Sequence, residues 1–239
     1  MTPSASAKRG LARGRRSVFR DAWLVAAKDL RVEARSRVGM NQVVPFALLV
    51  LVLFAFALDS EREVLRRAAG GLFWMTVLFA ALLTIQRSFV AEASDGARDG
   101  LRLSGLDAAG IFMGKAAAVV IQLMALEVVL AAGIVVLYDV ALAGPLLLVS
   151  TALLATAGLS AAGIAYGMVA AGLRVRDTLL PLLVLPVLAP VLLAAARASD
   201  AALAGTPAVG WPWVRLLAVF TTVYVAFGVL AFGALLEEA

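Results

Sequence analysis

Six apolar blocks, at about 42–58, 69–86, 109–137, 144–172, 178–196 and 213–236, divide this 239-residue chain and leave it few choices of fold. Each is too long and too uniformly apolar to be one face of a soluble element. Crossing a bilayer takes about 20 residues of helix, so the first block is short and the third and fourth are long. Inside lipid the backbone must satisfy its own hydrogen bonds, which leaves helices or a closed barrel. Barrel strands alternate over about ten residues, and these blocks do not. The expectation is an all-α membrane protein with six transmembrane helices. Composition agrees: 63% of residues are hydrophobic and 15% charged, against about 25% charged in soluble domains.

Charge placement orients the chain. It holds 21 Lys and Arg. With the N-terminus inside, sixteen fall on the cytoplasmic side, in 1–41, 87–115 and at Arg174 and Arg176. The other five are Arg62, Arg66, Arg67, Arg197 and Arg215. That bias places both termini in the cytoplasm. Asp59, Glu61 and Glu63 accompany the Arg62–Arg67 cluster, which reads as an external elbow. The pI near 10.2 therefore reflects membrane orientation, and no nucleic-acid partner is expected.

Residues 1–17 are small and basic, and are expected to be a disordered cytoplasmic tail ahead of one permease domain at 18–239. Arg15-Arg16-Ser17-Val18-Phe19 is only faintly like a twin-arginine export signal. Arg20, Asp21, Lys28 and Asp29 follow where an apolar stretch is required. An organelle transit peptide is also compatible with the composition. Over 18–38, Phe19, Trp23, Ala26 and Leu30 recur at helical spacing opposite Lys28, Arg31, Arg35 and Arg37. This is an amphipathic helix suited to the headgroup region, or a cytoplasmic helix packed on a partner.

The segment from Arg87 to Lys115 is the most informative polar stretch. Glu92, Asp95, Arg98, Asp99 and Arg102 are interleaved with Phe89, Leu101, Leu103 and Leu106, with Gly96 and Gly100 as bends or caps. A solvated loop would expose those leucines without cause; a docking helix for a cytoplasmic partner would not. Gly110 to Lys115 imitates a phosphate loop but fails it. One residue is missing between the glycines, Ala116 replaces the Ser or Thr that holds magnesium, and no strand precedes. ATP-driven function would need a second subunit.

Glu127 lies near the middle of the third block with Gln122 five residues earlier. An ionisable group at membrane depth is costly and a functional candidate. Facing a cavity, pairing with a base, sitting protonated and bonding a neighbouring helix all remain open. Gly163 and Gly167 stand in GxxxG spacing beside Gly158 and Ser160, suited to close helix packing within the chain or between two copies. Pro181, Pro186 and Pro190 punctuate the fifth block and permit kinks, and Trp211 and Trp213 open the sixth as an interfacial belt. Histidine and cysteine are both absent, which removes the commonest haem ligand and any thiolate metal site. No catalytic residue, metal site or cofactor bound by the chain itself is expected.

Three stretches carry a family resemblance. They are Lys28-Asp29-Leu30-Arg31-Val32-Glu33-Ala34-Arg35; Arg87, Phe89, Glu92, Asp95-Gly96 and Leu101 through to Lys115; and Leu173-Arg174 followed by the proline-punctuated 179–195. Through these the chain resembles the cytochrome c maturation B family (CcmB, haem exporter permease) over roughly 18–235. The resemblance implies a type-2 ABC exporter-like transmembrane domain in the bacterial inner membrane. Its partners would be a cytoplasmic ATPase that binds ATP, a haem-handling membrane protein, the haem chaperone and a second copy of the chain. Haem would be handled for c-type cytochromes, by export or by release of the loaded chaperone. Arg87, Phe89, Glu92, Asp95, Gly96 and Leu101 would form the loop that docks the ATPase. Two positions depart from the family pattern: Gly105 stands where proline is usual and Arg98 where an apolar residue is common. Rival readings are an ABC permease for a lipid or drug, a non-transporting assembly scaffold, and an intramembrane enzyme built on Glu127.

Overall fold

A computed structural model describes residues 5–36, 39–58, 61–94, 105–171 and 176–238. The described residues form seven α-helices and one π-turn, with no strand among them. In chain order they are α1 (Ala5–Ser36), the π-turn (Gly39–Val43), α2 (Val44–Ala57), α3 (Arg62–Ser94), α4 (Ala108–Tyr138), α5 (Pro145–Ala171), α6 (Arg176–Leu203) and α7 (Pro207–Glu238). Five of them, α3 to α7, are long and apolar enough to cross a bilayer. The chain is a multi-pass, all-helical membrane protein.

The first apolar block corrects the simplest six-span count. It forms α2, whose 14 residues reach about 21 Å at 1.5 Å per residue, short of a hydrocarbon core of about 30 Å. The missing length is supplied by α1, inclined to α2 by 57°. The pair follows α4 along its whole length. Val18 and Asp21 lie against Gly110, Ala22 and Val25 against Gly114, and Leu51 against Gly133. At the far end the Tyr138 hydroxyl donates to the Leu51 carbonyl at 3.2 Å. The sixth crossing is thus a broken one, made of α1 and α2 together.

This arrangement defines two ends of the bundle. At the lower end, Val18 meets Gly110, Gly233 meets Ala108, and Phe112 packs on Phe232 at 5.6 Å. The start of the α1 crossing and the end of α7 therefore share one face. At the upper end, Gly144 abuts Ala202 and Arg66 pairs with Asp139. Asp139 ends α4 in the left-handed conformation.

The basic segment 1–17, expected as a disordered tail, continues α1 as helical backbone from Ala5; residues 1–4 lie outside the described part. Alanine, leucine and arginine are good helix formers, so the established α1 extends into it. The proposed amphipathic stripe of α1 also divides. Asp21, Val25 and Ala26 are buried, while Phe19 and Trp23 face outward.

Within the bundle the interior holds small residues and polar groups that are paired across helices. Trp74 Nε1 donates to Ser199 Oγ at 2.9 Å, Thr221 Oγ1 to the Leu154 carbonyl at 2.8 Å, and the Tyr224 hydroxyl to the Val187 carbonyl at 2.6 Å. Such bonds contribute about 0.6 kcal/mol each in a membrane bundle, so packing of small residues carries most of the specificity. The prolines do not interrupt α6, which is helical from Arg176 to Leu203.

Gly105, two residues before the α4 N-cap, has φ +67°. Proline fixes φ near −65°, so this turn cannot hold the residue usual in the resembled family. Gly105→Pro is expected to displace the cap and destabilise the protein by about 1–3 kcal/mol, read as a lower unfolding temperature in detergent. Unchanged unfolding would show that the turn is re-formed without strain.

Candidate functional site

The lower end of α4 gathers more buried polar chemistry than its sequence suggests. Asp107 caps the helix, its Oδ1 accepting from the amides of Ala109 at 2.9 Å and Gly110 at 3.4 Å. This is the ordinary N-cap use of aspartate. The Asp107 amide in turn donates to Asp21 Oδ2 of α1 at 3.2 Å. Asp21 is 2% exposed. Its carboxylate sits where the α4 dipole is positive, which favours an anion there.

Two turns further in, Lys115 is 1% exposed. Its Nζ lies 3.6 Å from Asp29 Oδ2 of α1, 3.5 Å from Ser88 Oγ of α3 and 5.4 Å above the Phe89 ring. Lys28 approaches the same carboxylate at 3.0 Å. One lysine therefore joins three helices: α1 through an ion pair, and α3 through a hydroxyl and a cation–π contact. Gly110 to Lys115 are the opening turns of α4 and not a phosphate loop. Their glycines serve packing: a Cβ at Gly114 would lie 2.5 Å from the Ala22 carbonyl oxygen and 2.7 Å from Val25 Cβ.

Among the residues expected to form an ATPase-docking loop, Arg87 and Phe89 are in the lower part of α3 and Phe89 is buried. Glu92 is in the last turn of α3 by its backbone; its side chain, together with Asp95, Gly96 and Leu101, lies outside the described residues. Arg174 does too. Described structure thus brings Phe89 into the Lys115 cluster and flanks the remaining segment on both sides, with α3 leading into it and the Asp107 cap closing it.

Gly163 and Gly167 of α5 face Ile85 and Phe89 of α3. The glycine pair is used within the chain, and Gly167 seats the ring on which Lys115 rests. Gln122 and Glu127 are not brought together. Five residues on a helix turn the side chains about 140° apart. Gln122 lines a groove with Glu33, Val43 and Thr84, whereas Glu127 lines a separate cavity with Phe73, Trp74 and Ser199. Glu127 is buried and its Oε1 accepts from the Thr156 hydroxyl of α5. Among the described residues no three His, Cys, Asp or Glu side chains group as a metal site.

Sequence reasoning missed the roles of Asp21, Asp29 and Asp107. Asp107 was visible in principle, since an aspartate directly before an apolar helical run is a start signal. Asp21 and Asp29 carried no comparable signal, because their partners are about ninety residues away.

The chain matches the model of the CcmB protein family over residues 20–239. It is 34% identical to heme exporter protein B of Rhodobacter capsulatus over 73 residues, covering 30% of this chain and 34% of the relative. Against heme exporter protein B of Escherichia coli K12 it is 29% identical over 93 residues, 39% of this chain and 42% of the relative. The Paracoccus denitrificans heme exporter protein B is 33% identical over 91 residues, 38% and 42% of the two chains. These aligned stretches span less than half the length of the relatives they match.

Proposed function

Because the chain belongs to the CcmB protein family, we propose that it is the membrane permease subunit of an ABC-type complex that supplies haem for c-type cytochromes. The family match along nearly the whole chain carries this reading. Relatives that share shorter stretches are named heme exporter protein B. The lower end of the bundle is then the cytoplasmic end, as the distribution of Lys and Arg favours. ATP is bound and hydrolysed by a separate cytoplasmic ATPase, docked on the segment that begins near Glu92 and ends at the Asp107 cap. A haem-handling membrane protein, the haem chaperone and a second copy of this chain complete the assembly.

The Lys115 cluster suits the transmission step. Movement imposed on the docking segment reaches α3 at Phe89 and α4 at Asp107, and both are tied to α1. The three helices are expected to move as one body, a rigid-body coupling between two states. Haem is cargo in this reading, since the chain has neither histidine nor cysteine with which to hold it as a resident group.

One observation favours a second reading, in which the ATPase cycle releases the loaded chaperone and haem does not pass through this bundle. The cavity at Glu127 and the groove at Gln122 measure about 260 and 370 Å³, near the bottom of the ~300–1,000 Å³ range for drug-sized ligands. Feeding periplasmic haem to a strain deleted for this gene separates the two. Restored cytochrome c supports export, and continued failure supports release.

The docking claim is tested by co-purification. The double variant Glu92→Ala/Asp95→Ala is expected to lose the ATPase while the permease remains in the membrane at normal level. Full recovery of the complex would sink the assignment of that segment.

A further inference from the structure

The cavity at Glu127 lies between α3, α4, α5 and α6, with Phe73, Trp74, Ile134, Leu148 and Ser199 among its lining residues. Val128 and Val149 also line it and are exposed, at 67% and 55%. Its mouth is therefore lateral, between α4 and α5, on the surface that faces lipid. Its volume of about 260 Å³ exceeds the ~150 Å³ apolar cavity that accepts benzene. A substituted six-membered ring fits, and a porphyrin does not.

Its polar equipment is sparse and specific. Trp74 Nε1 is occupied by Ser199, so the indole offers a flat apolar wall suited to stacking. Glu127 is 3% exposed, and its Oε2 is buried with no hydrogen-bond partner among the described residues. No ion pair among the described residues reaches it, and a lone charge at membrane depth is costly. The group therefore acts as a carboxylic acid. Thr156 donates to Oε1, and Oε2 carries a proton to give. A buried donor left unused costs about 1–3 kcal/mol, which an acceptor on a ligand would recover.

Depth identifies the acceptor's source. Glu127 lies eleven residues before Tyr138, about 16 Å along the helix and so near the middle of a hydrocarbon core of about 30 Å. Glycerol-ester carbonyls of phospholipids sit in the polar zone outside that core. The carbonyl that meets Glu127 must belong to a molecule that carries it into the hydrocarbon.

We propose that this cavity binds a quinone-class ligand, an apolar membrane-soluble ring that stacks on Trp74 and accepts a hydrogen bond from Glu127. The site is independent of the lower-end cluster and of the haem reading.

Trp74 serves as the reporter. The chain has four tryptophans, and the Trp23→Phe/Trp211→Phe/Trp213→Phe variant keeps only this one. In full-length protein in phospholipid nanodiscs, a short-tailed alkyl benzoquinone is expected to quench Trp74 with saturation. Glu127→Leu should weaken the saturable component at least about tenfold, the loss of one hydrogen bond of about 1.4 kcal/mol. Glu127→Gln, which keeps an N–H donor, should bind within a few-fold of the parent. Ala131→Phe, which fills the cavity and leaves Glu127 in place, should abolish saturation. Quenching that rises linearly in every variant would show partition into lipid only and overturn the proposal. Equal saturable binding by the Leu and parent proteins would do the same. Quenching by phospholipids brominated on the acyl chain that quinone cannot displace would assign the cavity to acyl chains instead.

Discussion

Asp29→Ala is expected to destabilise the permease by about 3 kcal/mol, the cost of stranding one member of a buried ion pair. Lys115 is 1% exposed and lies 3.6 Å from the Asp29 carboxylate. The Ser88 hydroxyl at 3.5 Å and the Phe89 ring at 5.4 Å assist the ammonium, but neither replaces an anion. The reverse change is milder. Lys115→Met removes the buried cation and fills its space, and Asp29, whose side chain is 15% exposed, still has Lys28 at 3.0 Å. The order Asp29→Ala worse than Lys115→Met is the signature of the geometry. Asp29→Leu/Lys115→Met should recover most of the stability, because a buried pair replaced by apolar residues is often neutral. If the cluster also transmits motion, that double variant folds and still supplies less haem. Unfolding temperatures in detergent give the first comparison and cytochrome c yield the second. An Asp29→Ala protein as stable as the parent would mean that Lys115 finds water or lipid phosphate without Asp29.

Much of this fold was legible because lipid imposes so simple a rule. The blocks at 109–137 and 144–172 differ from α4 and α5 by one residue at each end. The block at 69–86 undershoots α3, which runs from Arg62 to Ser94. Hydropathy registers the lipid-facing core of a span, whereas its polar ends continue as helix beyond the hydrocarbon. The first block misled for a different reason. Its apolar residues end before the crossing does, and α1 supplies the remainder with Asp21 and Asp29 turned inward. Nothing local distinguishes such a helix from one lying flat in the headgroups, because its partner surface is made by Gly110 and Gly114. Glu127 was legible as unusual, and its separation from Gln122 follows from helix geometry alone. Its cavity was not, since that depends on Trp74, Leu148 and Ser199 converging from three other helices.

Gly114→Leu is expected to do more damage than any charge removal, and to do it at one contact. The existing backbone leaves no room for even the first carbon. A Cβ would lie 2.5 Å from the Ala22 carbonyl oxygen and 2.7 Å from Val25 Cβ, where ordinary contacts between carbons begin near 3.5 Å. One obstacle is backbone and the other is next to it, so no rotamer change relieves the clash and α1 must move away as a body. Gly110 one turn earlier meets Asp21 Cβ at 2.9 Å and the Val18 carbonyl at 3.1 Å, which closes the alternative of pivoting about that end. Displacing α1 also parts Asp29 from Lys115 and Asp21 from the Asp107 amide, so the steric and electrostatic losses arrive together. Overpacking of this kind typically costs about 1–3 kcal/mol, and the coupled loss of the ion pair raises it further. Gly114→Ala should already be measurably destabilised, and Gly114→Leu should fail to accumulate in the membrane. A compensating Val25→Ala relieves only the side-chain obstacle and is expected to rescue the alanine variant better than the leucine one. By contrast Gly71, where an added Cβ would meet nothing within 4 Å, should accept alanine without loss. If Gly114→Leu accumulates like the parent, α1 is not held against α4 in the membrane, and the broken crossing that supplies the sixth span has to be abandoned.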